Sequence, residues 1–396
     1  MRAAATGRDY LLSAPQGQAA PLDSVDVTFF NGRFMLLSRG RILAQRFFDI
    51  AEGVNLADAE RLVRELSRRP RFVGSARHIE LPNPPLETVL GPRDITFADL
   101  RVSDVVVRIY DVGALVVTFV LNLPSPSEPD SLIDYASRIS ALEDEITQAA
   151  RPVAAEIARA IEPACKPSEI VSDIIEDYTV FFIQETTPAC TAQTLAEHLD
   201  MPRLIAADAG PIAAQERQSL VHAAYSYRPD DLVIVDWNSA IVLDPTGGQE
   251  VPELLELTVM QMLELRTYDN RVGQGLDRLY KELEHEHHAV FRSSNYQMLS
   301  RRIMQMYVDV IEITERIDNS LTFLGDTWLA RLHATAAVEF GIPRWQKQLR
   351  GKLEVLRQIN TLLVDQITSQ KTMRIEVAIV GLILVEVLMA VFRAAI

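Results

Sequence analysis

Hydrophobic positions recur at two different periods along this chain. Before about residue 248, short apolar or alternating runs of strand length interleave with helical patterns; after it, a 3-4 helical spacing takes over. Val25–Phe30, Met35–Leu37 and Ile42–Phe48 read as short strands. Leu56–Leu66 reads as a helix, with Asn55 placed to cap it. The run VVVRIYDVGALVVTFVL, Val105–Leu121, predicts a hairpin turning near Asp111 to Gly113, both arms buried. Asp130 or Ser131 caps a long helix with Leu132, Tyr135, Ile139, Leu142 and Ile146 on one face, which Pro152 kinks or splits. A second unit follows: strand Tyr178–Glu185, helix Thr191–Leu199, and a hairpin of Asp231–Asp236 with Ala240–Asp244. Helix returns near Val251 and runs through Leu254, Leu257, Met260, Gln261, Leu265 and Tyr268.

Residues 303–328 carry a heptad-like seam of Ile303, Tyr307, Val310, Thr314, Ile317, Leu321, Leu324 and Trp328, interrupted at Gly325-Asp326. A further helical stretch, Leu329–Phe340, stops at Gly341-Ile342-Pro343. From Arg344 only Gly351 interrupts a helical pattern in which Leu349, Leu353, Leu356, Asn360, Leu363 and Ile367 share one stripe. Asn360 falls in that seam, where a polar residue fixes register at some cost in stability. Between Ile303 and Asp326 there are five acids and one base; between Arg344 and Arg374 there are seven bases and two acids. Opposite charge on the two segments favours an antiparallel helical hairpin over lipid or RNA binding by the bases, although each exposed pair adds little.

From Val377 to Phe392 every residue is apolar or Gly except Glu386. This run is about 24 Å of helix, slightly short of a bilayer core of about 30 Å, and flanking Arg374 and Arg393 can snorkel. It predicts a transmembrane helix over 375–396, in which Glu386 is either tolerated in protonated form or turned inward to an oligomer or a partner's span. Lys371 and Arg374 before the run, against Arg393 after it, place the bulk of the chain on the cytoplasmic side. The first residues, MRAAATGRDYLLSAPQGQAA, lack the apolar core of a secretory signal and read as a disordered leader.

Composition narrows the classes. The 396 residues hold 39 Lys plus Arg and 54 Asp plus Glu, a net charge of −15, which argues against direct nucleic-acid binding. Two cysteines, Cys165 and Cys190, make neither a disulfide framework nor a CxxC metal site. The phosphate-loop, dinucleotide and nucleophile-elbow motifs are absent from the sequence. In LEHEHHA, Leu283–Ala289, His285 and His288 lie three apart and are the weak metal candidates, but Ala289 breaks the HExxH pattern. A solvated charged linker is the simpler account of that stretch. No catalytic residue, cofactor-binding residue or cofactor is assigned.

Several segments together carry a family resemblance: RIYDVGALVVTF (108–119), ELLELTVMQMLELRTYDNRV (253–272), ITERIDNSLTFLGDTWLARLH (313–333) and the tail from KLEVLRQIN to RIEVAIVGLILVEV (352–387). They resemble an uncharacterised bacterial membrane protein family that is distantly similar to the DUF155 family, which includes the RMD1- and RMND1-like mitochondrial proteins. Val377 stands where that pattern has Trp. The resemblance implies a membrane-anchored protein with no assigned enzymatic activity.

The expected architecture is an α+β N-terminal region followed by an antiparallel, coiled-coil-like helical stalk and a single C-terminal transmembrane helix. Its parts are a leader (1–22), an α+β domain (23–248, with a subdomain boundary near 125–165), a stalk (249–374) and an anchor (375–396). The expected function is a non-enzymatic, tail-anchored scaffold or assembly protein, single-pass in a bacterial inner membrane or an organellar one. Its expected partners are the lipid bilayer, further copies of itself through stalk and span, with Asn360 and Glu386 as the oligomer contacts, and an unknown protein. The alternatives are an oligomeric ion or metal transport component with a CorA-like layout, or an unrecognised hydrolase.

Overall fold

The computed structural model describes residues 35–394 except 65–70, 73–82, 92, 167–173, 287–296, 306, 309–310 and 312–326. The expected leader, the strand at Val25–Phe30 and most of the 303–326 seam lie outside the described residues.

The chain opens with β1 (Leu36–Asp49), β2 (Gly53–Val54), α1 (Leu56–Val63), β3 (Arg71–Phe72), β4 (Leu86–Val89), β5 (Thr96–Phe97), β6 (Leu100–Ile109) and β7 (Ala114–Asn122). Helices α2 (Pro129–Ala141) and α3 (Glu143–Ile161) follow, then β8 (Cys165–Lys166) and β9 (Ile175–Thr187). Next come α4 (Ala192–His198), α5 (Met201–Ile205), α6 (Ala214–Leu220), β10 (Ala224–Tyr225), β11 (Leu232–Val235) and β12 (Ser239–Leu243). The C-terminal part is helical: α7 (Glu250–Glu286), α8 (residues 297–305), α9 (Thr327–Glu339) and α10 (Ile342–Ala394).

Among the described residues a ten-stranded sheet has the order β10-β11-β12-β9-β1-β7-β6-β4-β3, with β5 paired to β6. The β12–β9 pairing is parallel and the others are antiparallel. Helices cover both faces. Ile42, Ala44, Phe48, Val105, Val107 and Phe119 point to the face carrying α1 to α5, whereas Leu43, Phe47, Val116, Val180 and Phe182 point to α7, α9 and α10. Central strands buried on both faces have no polar face to show, which is why Val105–Leu121 reads as a nearly continuous apolar run.

Asn55 caps α1, its side chain accepting from the backbone N–H of Ala57 and Asp58. The β6–β7 turn requires Gly113, whose φ is +100° and whose added Cβ would meet Ala51 O at 1.9 Å. Met35–Leu37 and Ile42–Phe48 merge into one strand, with a bulge between Leu37 and Gly40. Gly40 lets the chain pass there, because a Cβ would lie 2.8 Å from Leu123 Cδ1. Pro152 sits inside α3 and does not split it; the break comes at Leu142, and Glu143, Asp144 and Glu145 favour a new helix start there.

Helix α7 is buried on nearly every side, clasped between the sheet and α9–α10. Helix α10 follows its sequence stripe: Leu349, Leu356 and Leu363 are buried and pack in the core shared with α7. Beyond Leu363 the helix continues without burying further side chains among those described.

The α+β reading of the N-terminal region and the helical reading of the C-terminal part hold. The membrane reading does not. Among the described residues no helix is long and apolar enough to cross a membrane. This overturns the transmembrane helix at 375–396, the tail anchor and the single-pass membrane location. The physical reason lies in α10, where Glu376 and Glu386 interrupt the apolar residues and the Val377–Phe392 run falls short of a bilayer core of about 30 Å.

Candidate functional site

The densest chemistry lies where α7 crosses the sheet. Cross-strand register sets the sheet side of it: Glu87 on β4 stands opposite Arg108 on β6, Arg108 opposite Val116 on β7, and Val116 opposite Phe47 on β1. Helical spacing sets the other side, with Glu253 and Glu256 on the face of α7 that meets this row. Arg108 serves three carboxylates at once. Its Nε donates to Glu87 (3.0 Å), its Nη1 to Glu256 (3.0 Å) and its Nη2 to Glu253 (3.1 Å). Glu256 also accepts from Gln45 Nε2 and from the Tyr110 hydroxyl, each at 2.8 Å.

The side chains of Glu256, Glu87, Arg108 and Glu253 are 3, 5, 13 and 17% exposed, so three acids share one base with little help from solvent. Burial raises the Glu253 carboxyl to about 7, against the lowering pull of Arg108; Glu256 and Glu87 add to the rise. Burial alone would lower the Arg108 guanidinium, but the surrounding carboxylates more than offset it and hold it well above its ordinary value. The Tyr110 hydroxyl is pushed up by burial and by the Glu256 charge, so it stays a hydrogen-bond donor.

The seam continues along α7. Arg266 pairs with Glu176 on β9 and Arg271 with Asp49 on β1. Burial raises Glu176 to about 7 and Asp49 to about 6 despite those partners. On the opposite side of α7, Lys352 of α10 reaches Asp269 Oδ1 at 2.9 Å, and Gln348 Nε2 donates to Asp269 Oδ2 at 3.2 Å. Chemically this is a clasp: paired charges fix helix to sheet, and each carboxylate already has a partner that a substrate would have to displace.

A separate open cleft of about 720 Å³ is lined by Asn55, Asp58, Asn83, Asp111, Cys165 and Lys166 among others. Several of its polar groups are already partnered, within the cleft or just outside it. Asn83 Nδ2 donates to Asp111 at 2.8 Å, Lys166 pairs with Glu52 at 3.3 Å, and the Cys165 thiol donates to Ile161 O. Burial pushes that thiol up, with Glu162 adding to the effect, so Cys165 is poorly suited to act as a nucleophile.

Of the residues singled out from sequence, Asn360 lies half-buried on α10 and accepts from Ser300 Oγ of α8 at 2.6 Å. Glu386 lies exposed on the last part of α10. The side chain of His285 and all of His288 lie outside the described residues. Among the described residues no group of three or more His, Cys, Asp or Glu could hold a metal ion. Sequence reading missed the clasp, because Arg108 and Glu256 are 148 residues apart. The available signal was an arginine inside the apolar run VVVRIY, together with two glutamates in i, i+3 spacing within the Leu-rich start of a helix.

The large exposed apolar side chains gather at the end of α10. Val377, Val380, Leu382, Leu384, Val387 and Met389 are each between 56 and 70% exposed. Together with Ile379, Ile383 and Val385, also exposed, they lie all round the helix axis.

The family model described as uncharacterized protein MJ0711, N-terminal domain, matches residues 39–250, more than half of the chain. The chain belongs to that family. The matched span runs from β1 to the start of α7, so it holds Gln45, Glu87, Arg108 and Tyr110 but stops short of Glu253 and Glu256. Among curated proteins, Uncharacterized protein MJ0711 of Methanocaldococcus jannaschii is 27% identical over 175 residues, covering 44% of this chain and 53% of the relative. The chain thus spans about half the length of that relative. No solved structure matches.

Proposed function

We propose that this protein is a non-enzymatic assembly protein, in which the α+β body is carried on α10 and the apolar end of α10 joins it to further copies of the same chain. The observation that supports this reading is the exposed end of α10. A helix that is apolar all round is ordinarily buried, and monomeric proteins rarely leave so long an apolar surface in water. The rest of the molecule suits a carrier: α10 is held to α7 by Leu349, Leu356 and Leu363 and by the Lys352–Asp269 pair, so its direction relative to the body is fixed. Light scattering behind size exclusion tests the reading, with an oligomer of defined mass expected for the full chain. Leu382→Gln with Leu384→Gln should return it to a monomer. A wild-type monomer, or a monomer that binds lipid vesicles in place of self-association, would overturn the proposal.

A further inference from the structure

Resting on that reading, we infer that the end of α10 joins a bundle of at least four copies, with Glu376 and Glu386 facing out to water. Successive residues of a helix turn by about 100°, which sets Glu376 and Glu386 about 80° apart round the axis, with Thr372, Ile379 and Ile383 between them. These residues form one narrow strip. The rest of the circumference, an arc of about 240° from Val387 round to Ile375, has no charged residue between Ile375 and Met389. On it stand Val377, Val380, Leu382, Leu384, Val385 and Met389, all exposed.

The width of that arc sets the number of copies. A two-helix pair dries one stripe of about 100° on each helix. Meeting at Gly381, in the middle of the arc, a pair would leave Val380, Leu382, Leu384 and Met389 in water on its two flanks. In a ring of copies each helix meets two neighbours, and the angle between them opens as copies are added. The dried arc widens to about 160° with three copies and about 190° with four. Three copies still leave Val380 and Leu382 outside it; four bring both to its edge. The strip fits the outside of such a bundle. Its two carboxylates would be costly in a dry seam and keep their water when turned outward. Ile379 and Ile383 stay wet beside them, as single apolar residues on a surface ordinarily do.

Native mass spectrometry of the full chain counts the copies, and two neighbouring positions test which side is dry. Wild type should give four or more chains. Ile383→Glu, inside the strip, should leave the count and the affinity within about twofold of wild type, whereas Val385→Glu, on the far side of the helix, should weaken assembly at least about tenfold. With Cys165 and Cys190 replaced by Ser, Glu386→Cys should react with a maleimide as fast as a free thiol, and Val385→Cys many times more slowly. A wild-type dimer or trimer, equal weakening by the two Glu variants, or equal labelling at the two Cys positions would overturn the inference while leaving self-association standing. A chain that stays monomeric would overturn the proposed function itself, and the bundle with it.

Discussion

Replacing Arg108 by Leu removes the base that pairs with Glu87, Glu253 and Glu256. Glu87, Glu253 and Glu256 would remain with side chains 5, 17 and 3% exposed and no guanidinium between them. Breaking a buried pair by deleting one partner costs about 3–5 kcal/mol, because the other charge stays buried and uncompensated. The loss depends on pH in a direction the structure fixes. Without Arg108 the carboxyls hold their protons more tightly than in the wild type, so the folded variant binds more protons than the folded wild type near neutral pH. Acid therefore favours the variant relative to the wild type. Urea unfolding should show a loss of about 3–5 kcal/mol at pH 8 that shrinks by about 1–2 kcal/mol at pH 5.5, each pH unit of differential proton binding being worth about 1.4 kcal/mol. The wild type has its own slope. Glu253 and Glu176 rise from 4.5 to about 7, and Asp49 from 3.8 to about 6. In that window the folded state binds more protons than the unfolded one, so stability is greatest at the acid end and falls as pH rises through about 7. A loss below about 1 kcal/mol at pH 8, or one that grows in acid, would refute the view that the clasp is a carboxylate cluster held by one base.

Two further substitutions test the local geometry. Gly113→Ala would drive a Cβ to 1.9 Å from Ala51 O at a φ of +100°; thermal unfolding should show a loss of at least about 2 kcal/mol, and a neutral result would mean that the turn differs from the one described. Asn55→Ala removes the acceptor for Ala57 N–H and Asp58 N–H at the start of α1; denaturant unfolding should report about 1 kcal/mol, with Asn55→Asp close to wild type.

What the sequence made legible was whatever local pattern alone decides. Val105–Leu121 declared itself because strands buried on both faces are apolar throughout, and Asn55 declared its helix because capping is a matter of a few neighbouring residues. The middle of β1 was hidden, since Ser38-Arg39-Gly40-Arg41 looks like a turn, and only the side chain of Leu123 explains why a glycine there lets the strand run on. The clasp was hidden for the same reason on a larger scale: Gln45, Glu87, Arg108 and Glu256 come together through sheet register and the placement of α7, neither of which any short window contains. At the tail the run of apolar residues was plain, but hydrophobicity alone does not say what covers it. The segments that carry the DUF155 resemblance are 108–119 and those from Glu253 onward, so the family match over residues 39–250 meets only the first of them.

The buried polar groups divide into two sets whose placement sets the direction of α10 relative to the sheet. Arg108, Arg266 and Arg271 tie α7 to three separate points on the sheet, at β4–β6, β9 and β1. Lys352 and Gln348 tie α10 to α7 through Asp269, and Ser300 ties α8 to Asn360. An apolar interface alone would tolerate sliding by a turn, because Leu meets Leu in several registers. Each charged pair meets its partner in one register only, and a slip would leave it buried and unmatched. The first set therefore fixes α7 on the body and the second fixes α10 on α7, so the direction of α10 is set by the sheet. A helix of about 80 Å fixed at one end gives its apolar end a defined position relative to the body. Polar residues in this core thus do what apolar packing cannot, which is to fix one register for α10 on the body.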